Sequence, residues 1–166
     1  SSIAKLLEKI ITARFTSFLT QNTALSSRQF GFRARRSTVT QLLCCLESWT
    51  KAKSDKKSTF IAYIDYQKAF DKISHKKLET ALKSKGMGEG VLRWIVEYFS
   101  GRTQKVEIDG ILSAPAEISS GILQGSCIGP CLFICLIDSL VNELSLVEGV
   151  EVYVFADDVK IFSSDP

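Results

Sequence analysis

Two adjacent aspartates, Asp157 and Asp158, interrupt an apolar and aromatic run: Glu151-Val152-Tyr153-Val154-Phe155-Ala156 precedes them and Val159-Lys160-Ile161-Phe162 follows. Neighbouring carboxylates repel one another, and a cation held between them relieves the repulsion. A third acid, Asp65, stands at the end of another apolar run, Phe60-Ile61-Ala62-Tyr63-Ile64. A carboxylate at the end of a buried strand is costly without a partner. If the two runs are neighbouring strands, three carboxylates meet at one edge of a sheet. Oxygen donors with no His or Cys beside them suit Mg²⁺ or Mn²⁺ rather than zinc. Two such ions can activate an attacking hydroxyl and steady a leaving pyrophosphate. For Asp157-Asp158 taken alone, an exposed acidic hairpin tip is an equally good reading.

Two further stretches have the composition of a ligand site. Gln29-Phe30-Gly31-Phe32-Arg33-Ala34-Arg35-Arg36-Ser37-Thr38, with Arg28 before it, sets four arginines around two aromatic rings. Guanidinium forks suit phosphates and aromatic rings stack on bases; a solvated basic loop fits the same residues. Ser119-Ser120-Gly121-Ile122-Leu123-Gln124-Gly125-Ser126 is a loop whose two glycines let backbone approach a ligand closely.

The elements that must position these residues follow from periodicity. The acidic pair falls at a two-residue break between strand-like runs, so a hairpin with Asp-Asp at its tip is expected. Neither tip residue is Gly, which implies backbone strain. Ile3, Leu6, Leu7, Ile10, Ile11, Phe15, Phe18 and Leu19 mark the inner face of a first helix, with Lys5, Glu8, Lys9 and Arg14 outward. Ser37 or Thr38 caps a second, whose inner face is Val39, Leu42, Leu43, Leu46 and Trp49; Lys51 to Lys57 is a charged linker. Continuous apolar character over Phe60 to Ile64 predicts a central strand covered on both faces. Gln67 to Asp71 is a tight turn towards a helix beginning near His75. A further helix carries Val91, Leu92, Ile95, Tyr98 and Phe99. Asp109-Gly110 turns a hairpin, and Pro130 opens a buried helix reaching about Leu144. The layout is α+β, with helices packed on an antiparallel sheet.

Composition narrows the class. At 166 residues and 45% hydrophobic content the chain has the makings of one domain with a real core. A net charge of +3 is too mild to demonstrate a polyanion partner. Five cysteines without C-x-x-C spacing, and a single His, read as free thiols in a reducing compartment rather than a zinc site. The apolar stretch from Ile128 to Leu146 nears membrane-span length, but Asp138 and Asn142 interrupt it, so a core helix and no membrane association are expected. No leader peptide is read at the start. An intracellular protein, in nucleus or cytoplasm, is the expectation.

Four stretches in order resemble those of the reverse transcriptase domain of non-LTR (LINE-type) retrotransposons, and more distantly group II intron reverse transcriptases. Tyr63-Ile64-Asp65-Tyr66-Gln67-Lys68-Ala69-Phe70-Asp71 resembles the first palm motif. Gly121-Ile122-Leu123-Gln124-Gly125-Ser126, with Gly129-Pro130-Cys131-Leu132-Phe133, resembles the second, and Phe155-Ala156-Asp157-Asp158 the third. Gln29-Phe30-Gly31-Phe32-Arg33 with Arg36-Ser37-Thr38 resembles a fingers motif. The resemblance implies a right-hand polymerase palm plus part of the fingers: partial fingers over 1–58 and palm over 59–166, the thumb falling outside this sequence. It implies an RNA-directed DNA polymerase acting on an RNA template, a DNA primer and dNTPs with two Mg²⁺ ions. Asp65 and Asp157 would hold both ions, Asp158 would complete the cluster, and the Tyr66 carbonyl would add a ligand. The amides of Lys68 and Ala69 would face the triphosphate, Phe70 would bar a ribose 2′-hydroxyl, and Gln124 and Gly125 would line the nucleotide pocket. Arg33 and Arg36 would touch template or phosphates. Leu123 stands where the family usually has Pro.

Within this frame, weak or no activity is expected of the segment alone. An RNA-dependent RNA polymerase is disfavoured by Phe70 and by Ala156 before the paired acids. A degenerate or domesticated nucleic-acid-binding module without catalysis is the alternative of a different class.

Overall fold

The computed structural model describes residues 2–165. Its elements in chain order are α1 (Ser2–Gln21), α2 (Thr38–Ser54), β1 (Ser58–Ile64), α3 (His75–Ser84), α4 (Glu89–Phe99), the two-residue strands β2 (Thr103–Gln104), β3 (Glu107–Ile108), β4 (Ile111–Leu112) and β5 (Ala116–Glu117), then α5 (Gly129–Leu144), β6 (Val150–Phe155) and β7 (Asp158–Asp165). This is the α+β arrangement the patterning implied.

α5 is the centre of the helical layer. Pro130 sits in its first turn, where a missing N–H costs nothing. Leu132, Phe133, Ile134, Cys135 and Val141 are buried along it. Against it pack Leu78 and Leu82 of α3 and Phe15 and Leu19 from the second half of α1, while Leu92, Ile95 and Phe99 of α4 join the same core from beside α3. Ser74 caps α3 by accepting from the Lys77 amide, and Ser37 caps α2 through a reciprocal box with Thr40. All five cysteines are free thiols. Among the described residues no helix is long and apolar enough to cross a membrane.

Asp138 does not break α5. It is fully buried, and Oδ2 receives the Lys85 ammonium at 2.5 Å and the Asn142 amide at 3.2 Å, while Oδ1 receives the Ser26 amide at 2.7 Å. A buried carboxylate is tolerable only with such partners. This one ties α5 to the end of α3 and to the segment after α1.

The sheet has strand order β1–β7–β6, antiparallel throughout. β1 is therefore an edge strand, not the expected central one. Phe60 and Tyr63 remain 67% and 66% exposed. The continuous apolar run signals two faces that want cover, and the described residues leave both open.

Two helix faces also depart from expectation. In α1, Glu8 is buried whereas Ile3, Leu6, Leu7 and Ile10 are exposed. In α2, Gln41, Cys45 and Ala52 turn inward, and Val39, Leu42, Leu43 and Leu46 face out. Buried polar groups with specific partners outrank the apolar stripe: Gln41 Oε1 receives the Lys160 ammonium of β7 at 2.9 Å. α2 also continues through Ser54, absorbing most of the expected linker from Lys51. The Asp109-Gly110 turn is as expected, with φ of 51° and 79° at its two central residues.

Candidate active site

β6 and β7 form the acidic hairpin, with Phe155 paired to Asp158. The two-residue turn is thus Ala156-Asp157, one position earlier than the expected Asp-Asp tip, and Asp158 is the first residue of β7. Ala156 has φ 55°, a conformation that favours glycine at the first central position of such turns. Holding a side-chain-bearing residue there costs about 1–3 kcal/mol, and the surroundings must over-determine it.

They do so through the loop between α1 and α2, at Gln29 to Gly31. Gln29 and Val154 form a parallel bridge. The Phe30 amide donates to Val154 O at 2.8 Å and the Val154 amide to Arg28 O at 3.0 Å. The Gln29 side chain, wholly buried, accepts from the amides of Gly31 at 2.7 Å and Ala156 at 3.2 Å.

On the other flank, β1 pairs with β7 in a register that ends at Ile64 opposite Val159. One more step sets Asp65 opposite Asp158, so all three acids lie at the same end of the sheet. Asp65 and Asp158 are exposed and Asp157 is half-buried. The three do not form a ready cage: among the described residues no group of three His, Cys, Asp or Glu side chains is placed to hold a metal ion. Asp157 sits in the turn and Asp158 begins β7, so the two neighbouring acids are carried on different kinds of backbone.

The first and second motifs are laced together. After Asp65 the chain turns at Lys68, φ 55°, whose carbonyl accepts from the amides of Asp71 and Lys72. The Phe70 carbonyl then receives the Ile122 amide and the Ile73 carbonyl the Gly121 amide, both at 2.8 Å. Ser120 Oγ donates to Asp71 O, and His75 Nε2 lies 2.8 Å from Gly121 O. Gly121, φ 87°, leaves no room for a side chain, since a Cβ would fall 2.6 Å from Asp71 O. The expected place of His75 at a helix start holds, and its ring also stacks on Phe99. Beyond Gly121, Ser126 N donates to Leu123 O, and the turn this closes has Gly125 at φ 78° and leaves Gln124 exposed.

Phe70 joins three of the four motifs. Its ring stacks on Phe133 of α5 at 4.3 Å and meets Phe32 of the α1–α2 loop edge-on at 6.2 Å. Arg33 and Arg36 turn back into their own loop: Arg33 donates to Ser26 O at 2.6 Å and to Gln29 O, while Arg36 donates to Ser27 O and lies over the Phe30 ring.

Sequence reasoning set Glu8 outward on the first helix and gave it no role, whereas the structure buries it. Its Oε1 accepts from the Tyr98 hydroxyl at 3.0 Å and from the amides of Cys127 and Ile128 at 2.9 and 3.3 Å, just before α5. An anion is favoured at a helix N-terminus, and here it braces the loop carrying Gln124 and Gly125. Burial, then the bond to Glu8, pushes the Tyr98 phenol up to about 12. A lone Glu on a helix gives no signal of such a role in sequence.

The chain belongs to the family of reverse transcriptases (RNA-dependent DNA polymerases), whose model matches residues 1–166. It is 31% identical over 160 residues to a probable RNA-directed DNA polymerase from transposon X-element of Drosophila melanogaster, covering 95% of this chain and 17% of that protein. It is 30% identical over 166 residues to the RNA-directed DNA polymerase from mobile element jockey of Drosophila funebris, covering 98% and 18%. The chain thus spans less than a fifth of the length of these relatives. A structure of apo telomerase from Candida tropicalis, truncated from the C-terminal domain, superposes with a TM-score of 0.68 at 11% identity over 97% of this chain and 34% of that one. That likeness is one of fold. The family expected from the four motifs is the one found.

Proposed function

We propose that this segment is the nucleotide-joining centre of an RNA-directed DNA polymerase of a non-LTR retrotransposon. A primer 3′-hydroxyl attacks the α-phosphate of a dNTP set opposite an RNA template, and pyrophosphate leaves. Asp65, Asp157 and Asp158, with the Tyr66 carbonyl, would hold two Mg²⁺ or Mn²⁺ ions. When bound, such ions make the hydroxyl a better nucleophile and neutralise charge on the phosphates. Mg²⁺ characteristically takes one or two carboxylates and completes its shell with water and substrate phosphates. Hard carboxylate donors gathered at one sheet end without a closed protein cage suit that chemistry.

The chain's own residues then position the nucleotide. The turn at Lys68 and Ala69 offers amides to the triphosphate. The Phe70 ring, held between Phe133 and Phe32, takes the space a 2′-hydroxyl needs. Gln124, exposed on its turn beside Gly125, meets the base pair. Arg33 and Arg36 reach template or phosphates only with the donors their loop leaves over. Catalysis in such a site is chiefly orientation and charge stabilisation.

The observation that carries this reading is the convergence of four stretches, spread from Gln29 to Asp158, on one strained turn and one aromatic stack. The test is extension of a DNA primer on an RNA template by the full-length protein, with Mg²⁺, comparing dNTPs with rNTPs and including Asp157→Asn. Mg²⁺-dependent dNTP incorporation that Asp157→Asn removes supports the reading. Template binding without synthesis supports the non-catalytic module instead.

A further inference from the structure

We infer that Gln29 is a positioning residue for the acidic turn, setting the backbone that carries Asp157. The inference rests on the polymerase reading for its effect on rate, and on the hydrogen bonds alone for its effect on the turn. Gln29 stands outside the hairpin in sequence, 127 positions before Ala156. Its side chain is nevertheless the acceptor for the amide of the strained turn residue. The same Oε1 accepts the Gly31 amide, so one oxygen locks the fingers loop and the turn in a fixed relation.

The orientation of this side-chain amide is unambiguous. Flipping it would set an N–H₂ donor against two N–H donors. With Oε1 so engaged, Nε2 is left buried without a hydrogen-bond partner among the described residues. A buried donor is rarely left unpaired unless the site requires the group for another reason. The oxygen is thus the end of the Gln29 side chain that makes bonds, and the nitrogen the idle end.

The alternative is that Gln29 merely fills space in the core. The neighbouring contacts argue for a dedicated clamp, because the bridge to Val154 already fixes the loop to β6. The side chain adds a bond only to the turn and to the glycine packed on it.

Three variants of the full-length protein decide the matter: Gln29→Leu and Gln29→Met, which remove the acceptor, and Gln29→Glu, which keeps an oxygen in its place. Amide exchange at Ala156 is measured first, by NMR or mass spectrometry, with thermal melting as the control for folding. Gln29→Leu and Gln29→Met are expected to speed exchange at Ala156 by about tenfold or more while exchange in α5 is unchanged; Gln29→Glu is expected to restore protection. Steady-state primer extension follows. The acceptor-free variants are expected to lower kcat by about tenfold and to need more Mg²⁺ for half-maximal rate, with the KM for dNTP little changed. Exchange at Ala156 that is the same in all variants overturns the clamp. Faster exchange with kcat and Mg²⁺ dependence unmoved overturns the positioning role. A wild-type protein that makes no product would defeat the polymerase reading, and the exchange measurement would still decide the clamp.

Discussion

Gly31 packs so closely on Ala156 that a Cβ built on the glycine would fall 2.2 Å from the Ala156 amide nitrogen and 2.8 Å from its Cα. Both contacts are with backbone, which cannot swing aside as a flexible side chain can. This glycine of the α1–α2 loop is thereby a surface against which the acidic turn is seated.

Gly31→Ala should consequently displace either the loop or the turn. Overpacking of this kind costs about 1–3 kcal/mol. Chemical denaturation should show a loss in that range, and primer extension should fall by more than the loss of folded protein accounts for. Wild-type stability and rate in Gly31→Ala would mean that the loop yields freely.

Phe70 should matter twice over. Removing its stack on Phe133 in Phe70→Val forfeits roughly 1–3 kcal/mol of stability. The same change should lower the preference for dNTP over rNTP by about tenfold or more, the discrimination that a steric clash supplies. A stability loss with nucleotide preference intact would assign Phe70 to the core alone.

Tyr98 predicts a pH effect. Burial and the bond to Glu8 raise its pKa to about 12, above the usual phenol value of about 10. The native state therefore keeps a proton that the unfolded chain releases at lower pH. The associated stability is fully present below about pH 10 and is lost as pH rises towards 12. Tyr98→Phe should abolish that alkaline slope in denaturation curves, and should cost about 1 kcal/mol at neutral pH because Glu8 loses a donor. An unchanged slope would place the phenol in water.

Lys85 and Asp138 form a buried ion pair, their side chains 8% and 1% exposed. Lys85→Met leaves the carboxylate without its cation and should destabilise the protein by about 3–5 kcal/mol. Adding Asp138→Asn should recover part of that, since the neutral amide still offers an oxygen to the Ser26 amide. Thermal melts of the single and double variants read the difference, and additivity of the two changes would show that the pair is not coupled.

Much of this protein is written locally. The turn at Asp109-Gly110, the caps at Ser37 and Ser74, Pro130 at the head of α5 and the strand character on both sides of Asp157-Asp158 depend on residues within a few positions of one another. The spacing of the four motifs was likewise legible, and with it the family. What sequence could not supply was cover and partnership. Phe60 to Ile64 reads as central because it is apolar, yet only the sheet order makes β1 an edge. Glu8 reads as solvent-facing because it is polar, and Gln41 lies outside the apolar face read for α2, but each is buried by donors from distant elements: Tyr98 and the amides before α5 for one, Lys160 for the other. The acidic turn moved by one residue, to Ala156-Asp157, for a related reason. Turn propensity judges the two tip residues alone, whereas tertiary structure adds Gln29 and Gly31, which together hold an alanine where glycine would be expected. Short-range geometry is set by bonded neighbours; burial and strain are settled by groups that meet only when the chain closes on itself.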